Sequence, residues 1–296
     1  MERKEFIKKG MIGFGMVASG AFHKLIKSDI KDDKALNPFI EHKSTGINQK
    51  TNTSSKFMAK TILHKAETRG HANHGWLDSH HTFSFADYYN PERMNFGVLR
   101  VLNDDVVSGG MGFGKHSHDN MEIVSIPLEG DLEHQDSMGN IAVIKKGDIQ
   151  VMSAGSGIMH SEKNKNLTQE VKFLQIWVLP NKKNVKPRYD QITIQTEDIK
   201  NNLLQILSPN PDDEGVWIHQ DAWFHFGNLD EGNKQIYKFK RTGNGLYVFV
   251  ISGEVTVETQ KLSSRDGIGI WDVDAVNFHA DKNCEILLME VPMLLG

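Results

Sequence analysis

Four side chains in two short motifs have the types and spacing of metal ligands. His116 and His118 are two residues apart, and His160 and Glu162 repeat that spacing. Because side chains alternate between the two faces of a strand, the members of each pair point the same way. Two such pairs on facing strands would bring three imidazoles and one carboxylate together. This donor set suits Fe, Cu, Ni, Mn or Co with positions left open for a substrate, and Zn is also compatible with it.

Two carboxylates are candidates for the fourth ligand. Glu162 lies one strand repeat beyond His160, whereas Glu122 lies four residues beyond His118 and shares its face only if the intervening segment is regular. We therefore predict Glu162 as the ligand and keep Glu122 as a residue that could orient a histidine. Three apolar side chains are candidates for the pocket wall, with core packing as the alternative for each: Ile123, Met152 and Met159.

The segments around these motifs read as strands of a β-barrel. Alternating apolar runs are separated by turn sequences about every eight to twelve residues, as in all-β domains. We predict an N-terminal metal-binding barrel over residues 56–180 and a second barrel over 187–296. Val250–Val255 parallels Ile126–Leu132, which indicates a duplication with a period of roughly 120 residues. The second barrel lacks the paired histidines, so we expect it to be metal-free and to support the first.

Several details of the N-terminal barrel are predicted as well. Lys60–His64 is expected to be its opening strand, and Phe96–Leu102 a strand that ends at Asn103–Asp105. Four irregularly spaced histidines are expected in a surface loop and turn, and these are His71, His74, His80 and His81.

Composition limits the classes of function. The 296-residue chain has a net charge of −4 and a pI near 6.4, which argues against a nucleic-acid partner. Its single cysteine, Cys284, excludes an internal disulfide and a cysteine-rich metal site. No apolar segment is long enough to span a bilayer, so we expect no transmembrane segment in the mature chain.

The N-terminal 55 residues are predicted to lie outside the folded part. Residues 1–22 combine a basic start with a short apolar stretch, typical of an export signal. This segment resembles a twin-arginine signal in which Lys replaces one Arg, Arg3-Lys4-Glu5-Phe6-Ile7-Lys8. The resemblance predicts export to the periplasm. An uncleaved extension on a cytoplasmic protein is the alternative. Residues 23–55 are polar and aperiodic, as in a disordered linker.

The two histidine motifs resemble those of one family. Gly-x5-His-x-His-x3-Glu from Gly110 and Gly-x2-His-x3-Asn from Gly157 are similar to the cupin motifs, and His-x-His-x3-Glu-Ile-Val with the stretch Gly147–Asn164 resembles the pirins. The upstream stretch Gly75–Tyr89 resembles the pirin N-terminal signature. The resemblance covers residues 56–296 and is nearest to bacterial pirin-like quercetinases. It implies two tandem cupin barrels, of the jelly-roll or double-stranded β-helix type, with few short helices.

The resemblance also implies a function. It suggests a metal-dependent dioxygenase, most simply with one Fe(II), that opens flavonols such as quercetin and releases carbon monoxide. Glu162 would be both ligand and proton acceptor. The partners would be a small aromatic substrate and dioxygen, and we expect a monomer. The alternatives are a non-enzymatic, iron-binding regulator that responds to redox state, and a cupin whose substrate is unrelated to flavonoids.

Overall fold

A computed structural model describes residues 59–294 of the chain, and this part is built almost entirely from β-strands. The helical elements are a 3₁₀ turn at Ala66–Thr68 and one α-helix, α1 (Thr196–Ile199). None of the described helices is long and apolar enough to cross a lipid bilayer. The export signal (1–22) and the polar linker (23–55) belong to the part not described, and both stay predictions.

Within the described residues, twelve strands precede α1. They are β1 (Lys60–His64), β2 (Gly70–Asn73), β3 (Leu77–His81), β4 (Leu99–Val107), β5 (Gly112–His118), β6 (Glu122–Glu129), β7 (Asp131–Asp136), β8 (Ile141–Lys145), β9 (Asp148–Ser153), β10 (Ile158–Asn164), β11 (Val171–Val178) and β12 (Arg188–Thr193). Ten follow it: β13 (Leu203–Ser208), β14 (Val216–Trp217), β15 (Trp223–Leu229), β16 (Lys234–Lys238), β17 (Asn244–Ser252), β18 (Glu254–Val257), β19 (Gln260–Ser263), β20 (Gly267–Trp271), β21 (Ala275–Ala280) and β22 (Cys284–Pro292).

Two barrels of the same design follow each other along the chain. In the first, a seven-stranded sheet of order β12-β9-β6-β11-β4-β3-β2 accompanies a four-stranded sheet of order β5-β10-β7-β8. In the second, the order β1-β20-β17-β22-β15-β13-β14 accompanies β16-β21-β18-β19. Apart from the short parallel pair β13 and β14, the strands pair antiparallel, as in cupin jelly rolls. The prediction of two tandem, nearly all-β cupin barrels is confirmed.

The two seven-stranded sheets share one apolar core. Val124 and Ile126 of β6 pack in the same cluster as Phe249 of β17 and Leu287 of β22, and all four are at most 2% exposed. Because each of these strands is buried on both faces, its sequence is a nearly continuous apolar run rather than an alternating one. The opposite faces of the sheets form the barrel interiors. The interior of the second barrel is a separate apolar cluster that includes Val248, Ile268 and Leu288.

Each seven-stranded sheet includes one edge strand from the part of the chain that lies on the other side of the connection between the barrels. Lys60–His64 is a strand, as predicted, but β1 pairs with β20 of the second barrel instead of opening the first. In return, β12 pairs with β9 and forms an edge of the first barrel. The sequence alone gave no sign of this exchange, because an isolated five-residue strand carries no information about its partner.

β4 is longer than its sequence suggests. The expected stop at Asn103–Asp105 is wrong, since the strand continues to Val107. Asn103 and Asp105 point towards the barrel interior, where Ser79 donates to Asp105. Asp104 faces the other way and accepts from Arg69 at 3.2 Å and from Arg265 of the second barrel at 2.8 Å. Asp104 and Asp105, residues of a type that normally indicates a turn, therefore have hydrogen-bond partners inside a strand.

Candidate metal centre

Two neighbouring strands of the four-stranded sheet bring three imidazoles together. β5 presents His116 and His118 on one face, and His160 of β10 is the direct antiparallel partner of His116. The ring centroids of His160 lie 4.4 Å from His116 and 4.9 Å from His118. One nitrogen from each ring lies within 4.8 Å of the others, and all three side chains are buried. The predicted i, i+2 pairing thus places these imidazoles at one point.

The protonation of these rings suits metal binding. Burial, reinforced by the neighbouring imidazoles, lowers the pKa of His118 to about 3 and that of His160 well below its usual range. Neutral imidazoles have the lone pair that a metal requires. His116 Nδ1 lies 2.8 Å from the carbonyl of Gly114, and a proton donated there leaves the ring lone pair on Nε2. His160 Nε2 is buried without a hydrogen-bond partner among the described residues, which fits a nitrogen reserved for a ligand.

Glu162 lies next to this cluster rather than within it. The structure groups its carboxylate with His160 and with His134, so that His160 belongs to both sets of potential ligands. The register of β5 and β10 shifts between His160 and Glu162, which is a β-bulge that re-aims the side chains. Ser125 Oγ donates to Glu162 Oε1 at 3.1 Å and Gln175 Nε2 donates to Oε2 at 2.7 Å. These two donors fix the position of the carboxylate.

His134 is a site residue that sequence reasoning missed. It lies on β7 directly opposite Glu162 and is fully buried. Its Nδ1 is 3.5 Å from Nδ1 of His160, and its Nε2 is 3.3 Å from Asp136 Oδ2. A signal was present, since His134 and Asp136 repeat the i, i+2 pattern on a strand between the two motifs. His134 can therefore orient His160 or act as an alternative ligand.

The predicted pocket residues divide into two groups. Ile123 and Met152 are fully buried in one apolar cluster with Trp177, whose ring centroid is 5.0 Å from that of His118. This cluster meets the imidazoles through Trp177, and a lining role for Ile123 and Met152 stays a prediction. Met159 is not part of this cluster: it is 38% exposed on the outer face of β10, because it is adjacent to His160 and alternation turns it outward. The expectation that Met159 lines the pocket is wrong.

The contacts of Glu122 differ from those expected of a residue that orients a histidine. It is 1% exposed, accepts a 2.6 Å hydrogen bond from Ser153 Oγ, and is also bonded by the backbone of His219 from the second half of the chain. Burial raises its pKa to about 7, although the nearby Arg188 favours the charged form. These contacts place Glu122 near the junction of the two barrels and give it no described bond to an imidazole of the centre.

A row of polar side chains crosses the inner face of the large sheet beside Glu162. Its members are successive cross-strand partners: Gln150, Ser125, Gln175, Asn103 and His81. Both amide atoms of Gln150, Oδ1 of Asn103 and Nδ1 of His81 are buried without a partner among the described residues. We call these five residues the polar row. A barrel interior with unpaired donors and acceptors is suited to water or a polar ligand.

His81 departs most from expectation among the four upstream histidines. It is 3% exposed and points into the barrel from β3, so its predicted surface position is wrong. Ser79 Oγ lies 2.8 Å from His81 Nε2 and also donates to Asp105. Burial lowers the pKa of His81 to about 4 and raises that of Asp105 to about 7. The barrel interior therefore contains a neutral imidazole and a carboxyl group that binds its proton up to neutral pH.

The fold and this centre define a two-barrel cupin with a histidine-rich site in its first barrel. A model of the pirin family matches residues 63–178, and one described as the quercetinase C-terminal cupin domain matches 205–291. A quercetin 2,3-dioxygenase of Escherichia coli K12 is 44% identical over 230 residues, which cover 78% of this chain and 98% of that one. A pirin-like protein of Caulobacter vibrioides is 36% identical over 75% of this chain and 95% of its own length.

A solved structure gives the same assignment. The bacterial pirin YhhW of Escherichia coli in complex with nickel(II) superposes with a TM-score of 0.75 at 42% identity, covering 79% of this chain and all of the other. The chain therefore belongs to the pirin family.

Proposed function

We propose that this protein is a metal-dependent dioxygenase that cleaves flavonols such as quercetin with release of carbon monoxide. The observation that carries the proposal is the convergence of three buried imidazoles beside a carboxylate that two donors already hold. The relatives named quercetin 2,3-dioxygenase support the choice of substrate. We propose Fe(II) as the native ion, with Cu, Ni, Co, Mn and Zn as alternatives for metal analysis.

His116, His118 and His160 would hold the ion. Glu162, which lies in a second group of potential ligands together with His160, would complete the set. Such an ion supplies Lewis acidity and, if it is redox-active, reactivity with dioxygen. The protein contributes the rigid placement of these groups on adjacent strands. Rigid placement lowers the barrier because little reorganisation remains when the substrate arrives.

Glu162 would accept the proton of the flavonol hydroxyl. Ser125 and Gln175 each donate to a different carboxylate oxygen, which orients the group and leaves lone pairs free for the incoming proton. The base must be within hydrogen-bond reach of the hydroxyl that it deprotonates. Glu162 would come within that reach if the oxygens of the substrate point at the imidazole cluster beside it.

The surroundings suit a flat aromatic molecule with several oxygens. Trp177 presents an apolar ring beside His118, and Ile123 and Met152 belong to the same apolar cluster. Gln150 is the cross-strand neighbour of Ser125, and its amide donor and acceptor have no partner among the described residues. An apolar wall with a few placed polar groups is typical of small-molecule sites.

The test is carbon monoxide release from quercetin by metal-loaded protein in air. H118Q should lose bound metal and activity together, whereas E162Q should keep its fold and lose turnover by about 100-fold or more, as expected for removal of a general base. E129Q changes a carboxylate with a side chain 65% exposed and serves as the matched control, with activity unchanged. If no metal-loaded form of the wild-type protein releases carbon monoxide from a flavonol, the proposal is wrong.

A further inference from the structure

A second group of metal-ligand side chains lies on the outer face of the β2–β3 hairpin. His71 and His80 are direct cross-strand partners, and Asp78 is two residues before His80 on the same face of β3. Their potential ligand atoms all lie within 4.8 Å of one another. We call these three residues the hairpin cluster. It is separate from the barrel centre, since the inward-facing residues of β3 are Leu77, Ser79 and His81.

Two distances within the hairpin cluster lie on either side of the donor spacing in a coordination sphere, and the shorter one is a hydrogen bond. Asp78 Oδ1 lies 2.8 Å from His71 Nε2 and 3.6 Å from His80 Nδ1. In a tetrahedral site with bonds of about 2.0–2.1 Å, neighbouring donor atoms are about 3.3 Å apart. The imidazole rings are stacked, with centroids 4.4 Å apart and planes inclined by 19°. A nitrogen of each ring therefore approaches the same oxygen, Asp78 Oδ1. An isolated ion pair at the surface would need only one of the two imidazoles.

The carboxylate is held in place by its own neighbour. Asn73, the cross-strand partner of Asp78, donates its amide to Asp78 Oδ2 at 3.2 Å. Asn73 Oδ1 also accepts from the backbone of Gly75 at 2.8 Å, which ties the amide to the hairpin turn. Gly75 has a φ of +82°, a conformation that favours glycine. The orientation of Asp78 Oδ1 towards the imidazoles is therefore built into the hairpin.

We propose that the hairpin cluster is a surface site for one divalent transition-metal ion, with His71, His80 and Asp78 as ligands. Two imidazoles and a carboxylate select Zn²⁺, Cu²⁺ or Ni²⁺ over Mg²⁺ and Ca²⁺, which prefer oxygen ligands alone. The three side chains are 38–50% exposed, so ions reach the site directly from solvent. Water completes the coordination, as in sites with three protein ligands.

The test is a count of zinc ions bound by the full chain, produced without a histidine tag and dialysed against Zn²⁺. If the barrel centre also binds, the wild type holds two ions and H71Q/H80Q holds one. H279Q, which removes an exposed histidine of β21, is the matched control and still holds two. If the barrel centre does not bind zinc, the counts become one and zero, so the two proposals fail separately. Equal zinc counts in the wild type and H71Q/H80Q would overturn the surface site.

A second measurement identifies the ligands. In an H160Q background, Cu²⁺ at the hairpin cluster should show electron paramagnetic resonance couplings to two nitrogens, and these should disappear in H71Q/H80Q. N73A should weaken Cu²⁺ binding by about 10-fold, as expected when a group that orients a ligand is removed. A copper spectrum without couplings that depend on His71 and His80 would contradict the assignment.

Discussion

The buried carboxyl group of Glu122 should make the stability of this protein depend on pH. Burial raises its pKa from 4.5 to about 7, against the opposing effects of the Ser153 hydroxyl and Arg188. The folded state therefore binds the proton more tightly than the unfolded chain does. Stability from this group is fully present below pH 4.5 and is lost as the pH rises through 7.

The size of the effect follows from the difference between the two pKa values. Between about pH 5 and pH 8, Glu122 should lower the free energy of unfolding by about 2–3 kcal/mol, since one pKa unit corresponds to ~1.4 kcal/mol. E122Q retains an oxygen that accepts from Ser153 but does not titrate. Relative to wild type, E122Q should therefore gain about 2–3 kcal/mol of stability on going from pH 5 to pH 8.

Urea unfolding at the two pH values, followed by tryptophan fluorescence, measures this change. E231Q replaces an exposed carboxylate in a turn, and its stability relative to wild type should change by less than about 0.5 kcal/mol over the same range. If the difference between E122Q and wild type is the same at both pH values, Glu122 titrates normally and the argument from burial is refuted.

Three further predictions concern the centre and the junction of the barrels. In an H71Q/H80Q background, H160Q should bring the metal content of the protein close to zero by elemental analysis, because His160 belongs to both ligand groups of the barrel centre; retention of a full equivalent would contradict its role. Q175L removes a 2.7 Å bond to the Glu162 carboxylate and should weaken metal binding by about 10–100-fold in a chelator competition, without loss of fold; unchanged affinity would show that this bond does not orient a ligand. D104A leaves two arginines without their shared carboxylate and should lower the free energy of unfolding by about 3 kcal/mol, measured by denaturant titration; a loss below about 0.5 kcal/mol would show that the bridge contributes little.

Strand alternation was sufficient to predict the imidazole cluster. His116 and His118 are two residues apart, so they point to the same face once both lie on a strand. The position of Glu162 was harder to predict, because a bulge between β5 and β10 alters the register beside it. His134 was missed because it stands alone between the motifs, and only strand pairing places it opposite Glu162.

The polar residues of the barrel interior show a second limit of sequence reasoning. Asn103 and Asp105 have low strand propensity and resemble a turn, so the end of β4 was placed too early. The burial of Asp105 is compensated by Ser79, which comes from another strand. Conversely, Met159 is apolar yet exposed, since its neighbour His160 determines which way the strand faces. In both cases tertiary context outweighed residue type.

The exchange of β1 and β12 has a consequence for any attempt to shorten the protein. Cleavage within 180–187 should yield two fragments that remain associated, because each provides an edge strand to the other's sheet. Produced alone, the histidine-bearing fragment would expose the backbone of β9, a template for intermolecular pairing. A minimal enzyme would therefore have to keep β12 or receive a redesigned edge in its place.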